Sequence, residues 1–421
     1  MAHRFLTVIF SAALCLVAMA ADPTDTNFSR TECLGSYRPY PAPEHLAAIP
    51  DSLQPVMINH VGRHGARFPS SPRSANTLLG ALRHAESTKT ITPLGKRLLK
   101  ITQFLMETVN GRWGALDSLG MAEQRGIASR MIAAYPDLFK NSLVNAISSY
   151  SPRCIMSMDE FTHQLARMNN SVELDIASGR RFSPLVRFFD ANADYTEFRK
   201  SEALHDAYHG YIRQHCPTEQ LKAVLGNDFD FDSYQVPVTD LATAEFAVLT
   251  GFPAMGINLD TTPFLTNAQT NALWAINNLK HYLQHSSSTL SSVPSAIASP
   301  LLEDLIATTD AFIAGNGSVA KVNLRFGHAE TLMPLLALMH IKGCYYLTNY
   351  FDTVGLHWQD FNIVPMAANL QLILLKSTSG TYYVRTELNE VPVPLLPDNP
   401  DLLIVPWVQA REYLQRCIPL F

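Results

Sequence analysis

Charge is scarce in this chain: Asp, Glu, Lys and Arg make up 16% of 421 residues, and the net charge is −5. That balance excludes a global basic field, and with it nucleic acid as a partner. Beyond the N-terminus no segment reaches membrane-spanning length without a charge or a proline, so no stable membrane span is expected. The sequence contains no His-Glu-x-x-His, no Gly-x-Ser-x-Gly, no Gly-rich nucleotide loop and no Cys-x-x-Cys. Zinc-peptidase, serine-hydrolase, nucleotide and dithiol chemistries therefore lack their usual signatures, and a site without metal or cofactor is expected. Internal repeats and low-complexity tracts are absent too. What remains is a chain that is 47% hydrophobic, enough to bury one large core or two medium ones.

The first twenty residues have the pattern of a secretory signal peptide: His3 and Arg4, an apolar run from Phe5 to Val17, then Ala18-Met19-Ala20. A membrane anchor is the alternative, but the run is short for a bilayer. The expectation is a soluble protein of the secretory pathway, secreted or held in an endomembrane, lysosome-like lumen. Of six cysteines, Cys15 would leave with the leader, and the remaining five allow at most two disulfides of unknown pairing. Asn27, Asn169 and Asn316 head sequons that could carry N-glycans.

The apolar run Val56 to Val61 reads as a buried strand ending at Gly62, and Asn145 to Tyr150 as a second strand. Helical periodicity covers Asn76 to Ala85, Gly95 to Val109, Met121 to Tyr135 and Met158 to Arg167. Residues 170–317 read as mostly helical, interrupted by a Ser-rich loop, Ser286 to Ser299. Strands return at Val322 to Phe326, Leu370 to Leu375, Tyr382 to Thr386 and Val391 to Leu395. The order suggests an α/β domain, residues 21–169 and 318–421, with an inserted α-helical cap, 170–317.

Three short stretches can carry chemistry. In Gly62-Arg63-His64-Gly65-Ala66-Arg67-Phe68-Pro69, two arginines flank a histidine just after a strand, where open α/β sheets place ligands. Guanidinium groups match phosphate with a bidentate fork, and they disfavour a second cation nearby, keeping His64 neutral and nucleophilic. A basic surface loop with an incidental histidine is the competing reading. In Phe326-Gly327-His328-Ala329-Glu330-Thr331, His328 sits where a strand meets a helix and can donate to a phosphate oxygen. Glu330 either caps that helix or protonates a departing alkoxide. Arg153, after the second strand, is by itself an ordinary loop arginine. His281 and His285, four apart, read as helix-surface residues in preference to a metal pair.

Together these stretches resemble the histidine acid phosphatases, with their Arg-His-Gly-x-Arg-x-Pro motif. His328-Ala329-Glu330, where most of that family has His-Asp, resembles the multiple inositol polyphosphate phosphatase subgroup. So do Arg187-Phe188-Phe189-Asp190, Ile363 to Leu370, and Leu388-Asn389-Glu390. The resemblance implies a mostly parallel sheet flanked by helices, with an inserted helical domain roofing the cleft. It implies His64 as the phosphorylated nucleophile and Arg63, Arg67, Arg153 and His328 as ligands of the transferred phosphoryl group. Glu330 would be the proton donor and then the base. The implied substrates are small phosphate esters: phytate and lower inositol phosphates, with 2,3-bisphosphoglycerate as a further one. Arg73, Lys89, Arg180 and Arg181 are candidates for gripping non-reacting phosphates, or plain surface charges. Rival readings are a broad-specificity acid phosphatase, a mutase, and a non-catalytic binder of phosphorylated ligands.

Overall fold

The structure, a computed structural model, describes residues 27–419. The expected leader, residues 1–20 with Cys15, lies outside them.

The chain builds one mixed sheet in the order β3-β2-β4-β1-β5-β6-β7, with β8 also beside β6. Its strands are β1 (Leu53–Arg63), β2 (Ser142–Ser148), β3 (Val172–Ser178), β4 (Val322–Gly327), β5 (Asn369–Ser377), β6 (Tyr382–Leu388), β7 (Val391–Val393) and β8 (Ile404–Pro406). The expected α/β architecture is present, with a finer division. β3, β2, β4 and β1 run parallel, and β5 turns the sheet antiparallel. β1 is central and covered on both faces, so every residue from Met57 to Arg63 is buried, the polar Asn59, His60 and Arg63 included. His60 is wedged there between Phe161 and Phe326 at 5.3 and 5.4 Å. Burial pushes its pKa down to about 3, so it serves as a neutral aromatic core residue.

Helices α3 (Ser118–Ala134) and α4 (Pro152–Met168) cover one face through Ile127, Met131 and Phe161. The other face packs against α9 (Ser299–Ile313), α10 (Ala329–Leu338) and α11 (Trp407–Cys417) through Leu305, Leu332, Leu336 and Leu414. A separate apolar cluster joins α1 (Arg73–Ser87) and α2 (Pro93–Val109) to α6 (Gln220–Leu225), α7 (Val238–Thr250) and part of α8 (Asn267–His285). Helices from before residue 110 thus pack with helices of the 170–317 stretch. α5 (Glu202–His215) lies against α8.

Two expectations need amendment. Residues 172–178, read as the start of the helical region, form the edge strand β3 in register with β2. Its Val-Glu-Leu-Asp-Ile alternation is that of a half-exposed strand. The cysteines Cys33, Cys154, Cys216, Cys344 and Cys417 are all free thiols, so the expected disulfides are absent among the described residues. Placement separates three of them: Cys33 and Cys344 are buried in different apolar clusters, and Cys154 lies against Gly327 and His328. No helix among the described residues is long and apolar enough to cross a membrane.

Candidate active site

Strand pairing brings the three stretches together. Arg63 of β1 is in register with Gly327 of β4, and Phe326 of β4 with Ser148 of β2. Three neighbouring parallel strands therefore end side by side, and each releases one chemistry-bearing segment at its carboxyl end. The junctions are tied by backbone bonds: His64 N–H donates to Gly327 O at 3.1 Å, and Ser149 N–H to Phe326 O at 3.0 Å. The His64 and His328 rings stand 5.7 Å apart, edge to face.

The loop after β1 is seated on α3 and α4. Ala66 N–H donates to Glu123 at 2.7 Å and Gly65 N–H to Ser157 Oγ at 3.1 Å. Gln124 Nε2 donates to Arg63 O at 2.9 Å. The His64 ring is buried, with Nδ1 2.9 Å from Gly65 O. A carbonyl only accepts, so the proton is on Nδ1 and the Nε2 lone pair is free. Burial, followed by Arg63, Arg153 and Arg67, holds the imidazole well below its ordinary pKa. The ring is a neutral nucleophile.

Three arginines surround it, each with a buried Nε that has no hydrogen-bond partner: Arg63, Arg67 and Arg153. Arg63 is held by the carbonyls of Ser36 and Val364 at 2.6 and 2.5 Å. Arg67 donates to Phe68 O at 2.8 Å and reaches Tyr37 Oη at 3.3 Å. Burial and the neighbouring Arg67 lower the Arg63 pKa to about 10, which is the mark of cations crowded without enough counter-charge. Buried donors are normally satisfied, and a tetrahedral oxyanion would satisfy these.

Arg187 completes the ring. It pairs with Asp190, and its Nη1 lies 2.9 Å from His328 Nε2, with Ser149 Oγ 3.0 Å from the same nitrogen. With Nε2 accepting, the His328 proton sits on Nδ1, 3.3 Å from Arg153 Nη2. Two donors then point into one space without a shared acceptor. Burial lowers the His328 pKa to about 3, helped by Arg153 and Arg187, so the ring is neutral. Nothing in the sequence alone assigns Arg187 a role; its one signal there is its place in Arg187-Phe188-Phe189-Asp190, a stretch similar to the multiple inositol polyphosphate phosphatases.

Glu330 falls in the first turn of α10, for which His328 is the N-cap. It lines a cavity of about 600 Å³ with Arg187, Arg199, Lys280, His281 and His285. Burial raises its pKa, while coupling to His285 and His328, a backbone N–H and the Arg63 guanidinium lower it, and the net shift is downward. The carboxylate is ionised in the free site. A second chamber of about 710 Å³ shares Arg199, Lys280 and Gln284 with the first and adds Arg73. Of the other cations proposed for non-reacting phosphates, Arg180 and Arg181 stack on Tyr150 and Phe182 at 4.6 and 4.7 Å. Lys89 lies in the turn after α1, at φ +62°. His281 and His285, expected on the helix surface, face the cavity instead, and His285 is buried. No group of three or more His, Cys, Asp or Glu able to hold a metal occurs among the described residues.

This architecture is that of the histidine acid phosphatases. No protein-family profile matches the chain, but pairwise comparison is informative. The chain is similar to proteins named multiple inositol polyphosphate phosphatase. It is 26% identical to "multiple inositol polyphosphate phosphatase 1" of Gallus gallus, over 89% of this chain and 85% of that protein. The Homo sapiens protein of the same name is also 26% identical, over 86% of this chain and 79% of its own length. Among solved structures, the multiple inositol polyphosphate phosphatase of Bifidobacterium longum in complex with inositol hexasulfate superposes with a TM-score of 0.77 at 17% identity, covering 91% of this chain and 97% of the other. The phytase of D. castellii gives 0.64 at 16% identity, covering 95% and 88%.

Proposed function

We propose that this chain is a metal-independent phosphomonoesterase that hydrolyses inositol polyphosphates such as phytate, and also 2,3-bisphosphoglycerate, through a phosphohistidine at His64. The observation that carries the reading is the set of three buried, unpartnered arginine Nε groups around a histidine whose Nε2 lone pair is free.

In the first half-reaction, His64 Nε2 attacks phosphorus and the P–O bond to the inositol oxygen breaks. The leaving oxygen takes the proton of the Glu330 carboxyl. Arg63, Arg67, Arg153 and His328 hold the three phosphoryl oxygens, where charge must be neutralised during transfer. In the second, Glu330 accepts a proton from water, the resulting hydroxide attacks phosphorus, and the N–P bond breaks. Orthophosphate leaves, with His64 and protonated Glu330 restored.

Two features favour a polyphosphorylated substrate over a generic monoester. Arg199, Lys280 and Arg73 line the space beyond Glu330, and none of them is paired with a carboxylate among the described residues. A broad-specificity acid phosphatase would have no use for them. We read residues 170–317, joined by α1 and α2, as the roof of this cleft, and residues 1–20 as a leader that delivers the protein to the secretory lumen.

Phosphate release from phytate in EDTA, measured for the wild type and His64→Ala, tests the chemistry. Release by the wild type, none by the variant, and an acid-labile phosphoprotein in quenched wild-type reactions are expected. Equal release by both proteins would remove His64 from the mechanism. Faster turnover of an aryl phosphate than of phytate would favour the broad-specificity alternative.

A further inference from the structure

Behind Glu330 lies a histidine with a fixed tautomer. His285, the last residue of α8, is buried, and its Nδ1 lies 3.0 Å from Tyr195 Oη. Tyr195 is itself buried, and its single hydroxyl proton is donated to Gln284 O at 2.9 Å. The tyrosine oxygen can therefore only accept from the imidazole, which puts the proton of neutral His285 on Nδ1. Its Nε2 is left as a bare acceptor, and His285 and Glu330 line the same cavity.

One turn earlier, His281 Nδ1 donates to Asp360 at 2.8 Å. Asp360 is buried and already accepts from Ser36 N–H at 3.1 Å and Trp274 Nε1–H at 2.9 Å. His281 is thus tied to a carboxylate, and His285 is the histidine left for Glu330. The same carboxylate is faced by the Arg63 guanidinium from β1 and by the neutral His328 ring at the N-cap of its own helix, while Arg187, Arg199 and Lys280 line the cavity.

Building on the phosphatase reading above, we propose that His285 is a positioning residue for Glu330: its bare Nε2 shares with the Glu330 carboxyl the one proton that enters the cavity with an anionic substrate. Electrostatics supports the arrangement. Burial pushes His285 below its ordinary range, and the neighbours of Glu330 shift its carboxyl downward on balance, so the unliganded pair holds no proton at mildly acidic pH. An arriving polyanion reverses the sign of the local field, and the pair takes up one proton. That proton leaves on the departing alcohol, and the bare carboxylate is then free to accept a proton from water. A lone carboxyl among these cations would have only itself on which to carry the proton.

Two measurements test this, using the variants His285→Gln and Tyr195→Phe. Calorimetric binding of inositol hexasulfate, a polyanion that does not titrate, in two buffers of different ionisation enthalpy counts the protons taken up. Near one proton for the wild type and a clear reduction for His285→Gln are expected. In phytate hydrolysis, the alkaline limb of kcat should move to lower pH by about one unit in His285→Gln, and in the same direction but less in Tyr195→Phe. A merely structural role would lower kcat at every pH and leave the limb in place. An unmoved limb, or unchanged proton uptake, overturns the inference. If the wild type releases no phosphate at all, the phosphatase reading fails first and separately.

Discussion

Gly65 and Gly120 meet backbone against backbone: a Cβ on Gly65 would stand 2.3 Å from Gly120 O, and one on Gly120 would stand 2.2 Å from Ala66 O. The close approach is what lets the loop of His64 sink onto the first turns of α3, where Ala66 O accepts from Asp117 N–H at 2.9 Å and Ala66 N–H reaches Glu123. Neither glycine needs a positive φ, so the requirement is for space alone.

Gly120→Ala should therefore lift the loop. Forced overpacking costs about 1–3 kcal/mol, and a shift of the nucleophile by about 1 Å can cost 10²-fold in rate. We expect a folded protein with a lower Tm and at least that loss of kcat on phytate. Gly317→Ala, at a glycine with nothing within 4 Å of its Cβ position, is the control and should match the wild type. Full activity in Gly120→Ala would show that the loop has room to move.

Arg187 touches the phosphate cradle through His328 and is also held by Asp190. Removing one preorganised donor from such a site commonly costs 10²–10³-fold, so Arg187→Ala should lower kcat/KM by about 10²-fold with its circular dichroism spectrum intact. Arg187→Lys should recover only part of this, because a compact ammonium lacks the planar fork whose Nε reaches Asp190 while Nη1 reaches His328. A loss under about twofold in Arg187→Ala would place this residue outside the catalytic ring.

Arg187 also shows where sequence reading ends. His64 and His328 stand out because each follows an apolar strand signal, and strand ends are where such sheets bind ligands, whereas Arg153, by itself an ordinary loop arginine, is singled out only by the family resemblance. Which strands are neighbours was not legible: the order β2-β4-β1 is a tertiary fact, and it alone makes the three ends converge. His285 was misread for a related reason. The polar run after it suggested an exposed loop, yet Ser286, Ser287 and Ser288 are buried. Their hydroxyls find partners within the segment and in the Cys344 carbonyl, so a polar composition coexists with a packed interior. β3 escaped notice because an edge strand exposes alternate residues and lacks the continuous apolar run of β1.

The sequons are not equivalent acceptors. Asn316 is exposed in a turn, its Oδ1 accepting from Ser318 N–H and Oγ. Asn169 instead donates its amide Nδ2 to Phe139 O at 3.0 Å, and that nitrogen is the atom a glycan would need. When the chain is expressed through a secretory route, mass spectrometry after glycosidase treatment should find modification at Asn316 and none at Asn169. Occupancy at Asn169 would mean that the glycan is added before the β2–β3 end of the sheet folds.

Glu245 in α7 gives the fold a pH signature independent of catalysis. It is fully buried, neither carboxylate oxygen has a hydrogen-bond partner among the described residues, and burial pushes its pKa up to about 8. Its folded pKa is raised, so the native state keeps a proton that the unfolded chain sheds from about pH 4.5 upward. Its contribution is therefore complete below that pH and declines until the native group itself ionises near 8. The loss is on the order of 5 kcal/mol. His60, His285 and His328, each held neutral at about 3, act in the opposite sense and weaken the fold as pH falls below the ordinary histidine range. Comparing Glu245→Gln with the wild type cancels those histidines. The two Tm values should differ little at pH 4.5, and the variant should gain steadily on the wild type as pH rises to 8. A difference that stays constant across that range would mean Glu245 is ionised in the native state, paired with a cation that the packing of α7 does not reveal.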